Sequence, residues 1–172
     1  EGLASRYPGA RLAQTGAAQL LPGIKFQAKL TLDVREFIDG MPAELSAEVP
    51  DASTSSKKVR EFDAALPLVR DVFPRPYALS RLPMRDISMQ SVQGEQSDFS
   101  LYQGVWRMQP LPGCAPEGGD AMRLTYAVEL RPSLPVPVAL LEAKIATDLA
   151  NNLKAIRSYA EAQTVAKRLS SE

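Results

Sequence analysis

Residues 122–169 read MRLTYAVELRPSLPVPVALLEAKIATDLANNLKAIRSYAEAQTVAKRL, and within this one stretch the hydrophobic period changes. From Met122 to Leu130, Met122, Leu124, Tyr126, Val128 and Leu130 fall on one face, against Arg123, Thr125, Ala127 and Glu129. A period of two predicts a half-buried strand. Pro132, Pro135 and Pro137 interrupt it, and from Val138 to Leu169 there is no Gly or Pro. Leu141, Ile145, Leu149, Asn152, Ile156 and Ala160 then recur at three-to-four spacing, the stripe of one long amphipathic helix over about 136–168. Such a stripe has to be buried, and the partner on offer is the apolar face of a sheet.

Working outward, IKFQAKLTLDV (Ile24–Val34) alternates strictly, with Ile24, Phe26, Ala28, Leu30, Leu32 and Val34 on one face. It predicts an antiparallel strand, joined through the turn dipeptide Pro22-Gly23 to a weaker strand in ARLAQTGAAQLL. Strand character returns over 85–92 and 98–108 around Gly94-Glu95. In the second of these, Tyr102, Gly104, Trp106 and Met108 share a face opposite Leu101, Gln103, Val105 and Arg107. The sum is about five or six sequentially joined antiparallel strands and a helix, an α+β domain. Residues 36–81, rich in Pro and carrying the Ser/Thr run 53–56, read as an inserted loop with a short helix from Ser56.

Composition narrows the function. The chain has 172 residues, 20 basic against 20 acidic, and no histidine. That size supports one core without disulfides, consistent with the single Cys114. Without histidine there is no Ser-His-Asp or Cys-His hydrolysis, and the usual catalytic zinc sites are excluded. Zero net charge argues against nucleic-acid binding, which needs a basic footprint. No stretch approaches the roughly 20 apolar residues of a membrane span. The chain begins with Glu1 and reads as a processed form or as part of a longer precursor.

QLLPGIKFQAKLTLDV, SDFSLYQGVWRM and MRLTYAVELRPSLPVPVALLEAKIATDLANNLKAIRSYAE together resemble successive motifs of the START-like polyketide cyclase and lipid transport superfamily. Within it the likeness is greatest to the coenzyme Q-binding START-like branch of the cyanobacterial and chloroplast type. The most specific portion is LPVPVALLEAKIATDLANNLKAIRSYAE, with its Pro-x-Pro helix entry; Tyr102, Gly104 and Trp106 supply a second signature. The matched pieces cover residues 10–34 and 85–161.

The resemblance implies a helix-grip fold, in which a curved sheet wraps the C-terminal helix around a cavity for a lipophilic molecule. The family's first strand and two short helices would lie before Glu1, so the single domain reads as N-terminally incomplete. The 36–81 insertion would cap the cavity or dock on a partner. The implied cavity lining is Phe26, Leu30, Tyr102, Trp106, Met122, Leu124, Tyr126, Leu141, Ile145, Leu149 and Asn152, with no catalytic or metal-binding residue and no cofactor beyond a bound quinone or lipid. Location in a chloroplast, stroma or thylakoid, or else in a mitochondrion, is implied by the same branch.

Each feature also has a plainer explanation. Tyr102 and Trp106 serve equally as core, and Asn151 and Asn152 as solvated amides. Glu142 and Asp148, six apart, do not form an acid/base pair on a helix. Arg123, Arg131 and Arg157 read as exposed charges, Cys114 lacks a neighbouring base, and Gly113, Gly118 and Gly119 are turn residues. The expectation is a non-enzymatic carrier of a lipophilic ligand such as a prenylquinone, isoprenoid or lipid. An accessory subunit of a photosynthetic or respiratory membrane complex, docking through 36–81, is the alternative, and an aromatase/cyclase enzyme is the third.

Overall fold

The computed structural model describes residues 7–21, 24–46, 73–92, 97–115, 119–133 and 138–169. They form five strands, β1 (Gly9–Leu21), β2 (Ile24–Phe37), β3 (Arg85–Ser91), β4 (Phe99–Pro110) and β5 (Met122–Pro132), followed by one helix, α1 (Val138–Leu169). A single 3-10 turn, Ala43–Leu45, lies after β2. The strands build one antiparallel sheet in the order β1-β2-β3-β4-β5, so β1 and β5 are its edges. Each of the strands read from the alternating sequence is present, as is the helix. Pro22-Gly23, Gly94-Glu95, the Ser/Thr run and the short helix from Ser56 lie outside the described residues.

By chain contacts the protein divides into two compact units: Glu1–Gly16 with Gln27–Leu134, which holds most of the sheet, and Ala17–Phe26 with Pro135–Glu172, which holds α1. Within α1, Ile145, Leu149 and Leu153 are half-buried. Their spacing of four keeps them in one row. Asn152, which the sequence reading placed on that stripe, is exposed, as are Ile156 and Ala160. The outer surface of α1 carries the i, i+4 ion pairs Lys144–Asp148 at 2.7 Å and Arg157–Glu161 at 2.8 Å.

The sheet register sorts its side chains onto two faces. Ile87 pairs with Trp106 and Trp106 with Tyr126, while Asp86 pairs with Arg107 and Arg107 with Thr125. One face, here the aromatic face, therefore carries Ile87, Met89, Tyr102, Gly104, Trp106, Met108, Leu124, Tyr126 and Val128. The other, the polar face, carries Asp86, Ser88, Gln103, Val105, Arg107 and Gln109.

On β3 and β4 the deepest burial lies on the polar face. Asp86, Ser88, Gln103, Val105, Arg107 and Gln109 are all 2% exposed or less, whereas Tyr102, Trp106 and Met108 are half-buried. The period-two reading gives which residues share a face but not which face is covered. Hydropathy favours the aromatic face, and the covering segments reverse that choice. The described ends of the 36–81 stretch hydrogen-bond to the polar face and bury it.

Those contacts pair the polar groups of Asp86, Arg107 and Gln109, as burial requires. Arg107 donates from Nε to Asp86 Oδ1 at 2.9 Å and from Nη2 to Asp86 Oδ2 at 2.7 Å. Its Nη1 donates to the Pro76 carbonyl at 3.0 Å, and the Met41 amide donates to Asp86 Oδ2 at 2.9 Å. The Gln109 carboxamide accepts from the Leu79 amide at 2.8 Å and donates to the Leu79 carbonyl at 3.0 Å, acting as one more rung of a β-ladder. Arg123 stacks its guanidinium over the Tyr77 ring at 4.5 Å. The two ends also meet each other, the Phe73 amide donating to the Leu45 carbonyl at 2.7 Å, with Phe37 and Phe73 fully buried beside them.

The chain leaves β2 through Asp39-Gly40. Gly40 holds φ at +82°, and a Cβ there would stand 2.6 Å from Met84 Cγ. Both conditions favour glycine, and they let the following amide of Met41 turn in towards Asp86.

Removing one member of the Asp86–Arg107 pair leaves a buried charge without its partner. Asp86→Ala or Arg107→Ala is expected to lower unfolding stability by about 3–5 kcal/mol. The Asp86→Leu/Arg107→Met double variant is expected to lose clearly less than the sum of the two single changes, because no charge is stranded. Urea denaturation of the four proteins measures this; additive losses would mean that the pair acts as two independent groups.

Candidate ligand-binding face

The aromatic face concentrates ring systems around one glycine. Tyr126 lies directly across from Trp106 in the β4–β5 register, and the two rings stack with centroids 4.1 Å apart and 19° between planes. Tyr126 leans diagonally along β4, so that its hydroxyl comes 3.1 Å from that of Tyr102. The diagonal crosses Gly104. A Cβ on Gly104 would stand 2.6 Å from the Tyr126 hydroxyl, 3.0 Å from Cε2 and 3.1 Å from Cζ. The Tyr-x-Gly-x-Trp spacing thus has a physical content: the glycine is the slot across which an aromatic from the neighbouring strand is laid. Phe99 extends the row, meeting Tyr102 edge-on at 5.9 Å.

The hydroxyl pair has a definite hydrogen-bonding balance. Two phenols bring two protons, and their mutual bond uses one. Among the described residues neither hydroxyl has a further partner. Among the described residues one O–H of the pair is therefore left to donate from this face. Burial above all, and then the adjacent Tyr102, push the ionisation of Tyr126 well above the ordinary tyrosine range. Tyr126 is thereby a neutral hydrogen-bond donor and not a base.

At the end of the face where β3 begins and β4 ends, the strands and the β4–β5 loop enclose a groove of about 550 Å3. Met84, Met108 and Met122 line it with Pro83 and Pro110, and Arg85 and Asp120 are the charged residues at its wall. Arg85 faces Glu36 at 3.7 Å. Met122 is 56% exposed.

Of the lining expected from sequence, Tyr102, Trp106 and Tyr126 are brought into mutual contact, with Leu124 on the same face beside Met108. Met122 is at the groove instead, and Leu30 is buried in β2. Ile145 and Leu149 are half-buried and Asn152 exposed in the separate helical unit. The side chains of Phe26 and Leu141 lie outside the described residues. Sequence reasoning overlooked Met84 and Met108 as groove residues and Gly104 as the slot. Gly104 had a signal in its position between the two aromatics; Met84 had none, because it reaches the groove from a loop.

Among the described residues no group of three or more His, Cys, Asp or Glu could hold a metal ion, and no helix is long and apolar enough to cross a membrane. No protein-family model, curated protein or solved structure matches the chain.

Two outcomes follow from this geometry. Gly104→Ala forces Tyr126 out of its slot, sacrificing the stack and the hydroxyl bond at a cost of about 1–3 kcal/mol. Trp106 is the single tryptophan, so its fluorescence and near-ultraviolet dichroism should change with that displacement; an unchanged spectrum would show that the ring stays where it is.

Alkaline titration followed by tyrosinate absorbance should show Tyr126 ionising after the ordinary tyrosines. Its folded-state value is raised, so its contribution to stability is complete below the ordinary value near 10 and is lost as the pH rises above it. Tyr126→Phe should remove that part of the alkaline loss.

Proposed function

We propose that this chain is a START-like, helix-grip domain that binds a lipophilic carbonyl compound, of which a prenylquinone is the type, and that it does so without catalysing a reaction. The observation that carries the reading is the Tyr102–Tyr126 hydroxyl pair, one proton in excess, set beside the Trp106–Tyr126 stack on an apolar, half-buried face. A quinone offers the complement: a flat ring to lie against aromatics and a carbonyl to accept the spare O–H. The bulk of the affinity would come from apolar area, at about 25 cal/mol per Å2, and orientation from the hydrogen bond. The neutral state of Tyr126 favours holding a ligand over proton abstraction. The sequence resemblance described above supports the same class of ligand, and a plastid or mitochondrial location belongs to the same proposal.

Decylubiquinone titrated into the protein, with Trp106 emission corrected for absorption by the quinone, tests it. Saturable quenching is expected. Either phenol can donate once its neighbour is gone, so Tyr102→Phe and Tyr126→Phe should each weaken binding only slightly. The double variant should weaken it about tenfold, the worth of one hydrogen bond. Absence of saturable quenching, or a double variant that binds like the wild type, would overturn the reading.

A further inference from the structure

We propose that the ligand of the aromatic face is linear, its accepting head at the Tyr102–Tyr126 hydroxyls and its apolar tail running past Trp106 into the methionine groove. This rests on the binding reading above and adds the ligand's shape and length. Tyr102, Trp106 and Met108 alternate along one face of β4, and Tyr126, Leu124 and Met122 run beside them on β5. Head site and groove are thus two ends of a single apolar track. Met108 lies six residue steps along the strand from Tyr102, which at strand rise is about 20 Å. A one-ring head does not bridge that length; a tail does.

The chemistry of the two ends differs in the sense the proposal needs. The phenol pair supplies a spare hydrogen-bond donor at the head end of the track. The groove instead gathers three of the chain's five methionines, Met84, Met108 and Met122. Unbranched thioethers adapt to an irregular, flexible chain better than branched side chains do. Among the described residues its lining carries one cation and one anion, Arg85 and Asp120, and no cluster of one sign that would select an ionic head. The groove is a tail site.

The test compares two benzoquinones with the same dimethoxy-methyl head, one carrying a butyl tail too short to reach the groove and one a tail of four prenyl units, against the wild type, Met122→Asp and Met108→Gln. Met122 is largely exposed, so its substitution leaves the core intact, and unchanged near-ultraviolet dichroism confirms folding for each variant. Comparing proteins with one ligand at a time cancels differences in solubility between the tails.

The butyl compound should quench Trp106 with the same midpoint in all three proteins. The long-tailed compound should bind the variants about tenfold more weakly than the wild type. If the butyl compound binds and the long-tailed one loses nothing in either variant, the tail lies elsewhere and this inference falls while the binding reading stands. If neither compound quenches Trp106, the binding reading falls and takes this inference with it.

Discussion

The Asp86–Arg107 pair is the contact on which the rest of the sheet unit depends. It joins β3 to β4 at directly opposed positions, and its spare hydrogen-bonding capacity reaches out of the sheet to Met41 on one side and Pro76 on the other. A carboxylate and a guanidinium buried this deeply are costly to desolvate. They are tolerable here because the fork of the arginine meets both carboxylate oxygens and the remaining donors and acceptors are satisfied by backbone. The cost is thereby converted into positional information: these bonds tie the two incoming segments to fixed places on the sheet.

That anchoring leaves the opposite face free to be something else. With the loops committed to the polar face by Asp86, Arg107 and Gln109, the aromatic face of the same strands is only half-buried. A sheet whose alternation sends ion pairs one way and rings the other can stabilise itself on one side and present a ligand surface on the second. Gly104 ties the two roles together, since the flat stretch of β4 that admits Tyr126 is flanked by Gln103 and Val105, both fully buried on the far side.

The chemistry available on that surface is modest. A hydrogen-bonded phenol pair, an indole and a run of aliphatic and thioether groups can bind and orient but offer no strong nucleophile or base. Recognition would then rest on shape and on one hydrogen bond, and the distance between that bond and the methionine groove becomes the measure of which ligands fit.

Much of the architecture was legible in the chain itself. The alternation in Ile24–Val34 and Met122–Leu130 and the helical spacing after Pro137 fixed the order and type of the elements, because side-chain direction in a strand or helix follows from backbone geometry alone. The gathering of Tyr102, Trp106 and Tyr126 on one side was also readable, since residues two apart share a face. Three things were decided only by tertiary structure. Which face is buried depended on Pro76, Leu79 and Met41 supplying partners to Asp86, Arg107 and Gln109 from distant segments, and hydropathy rates those three residues as surface. The slot at Gly104 needed the β4–β5 register to bring Tyr126 across it. The groove needed Met84 from a loop to meet Met108 and Met122 from two strands. In each case the deciding contact joins residues far apart in sequence, and local periodicity carries no information about such pairs.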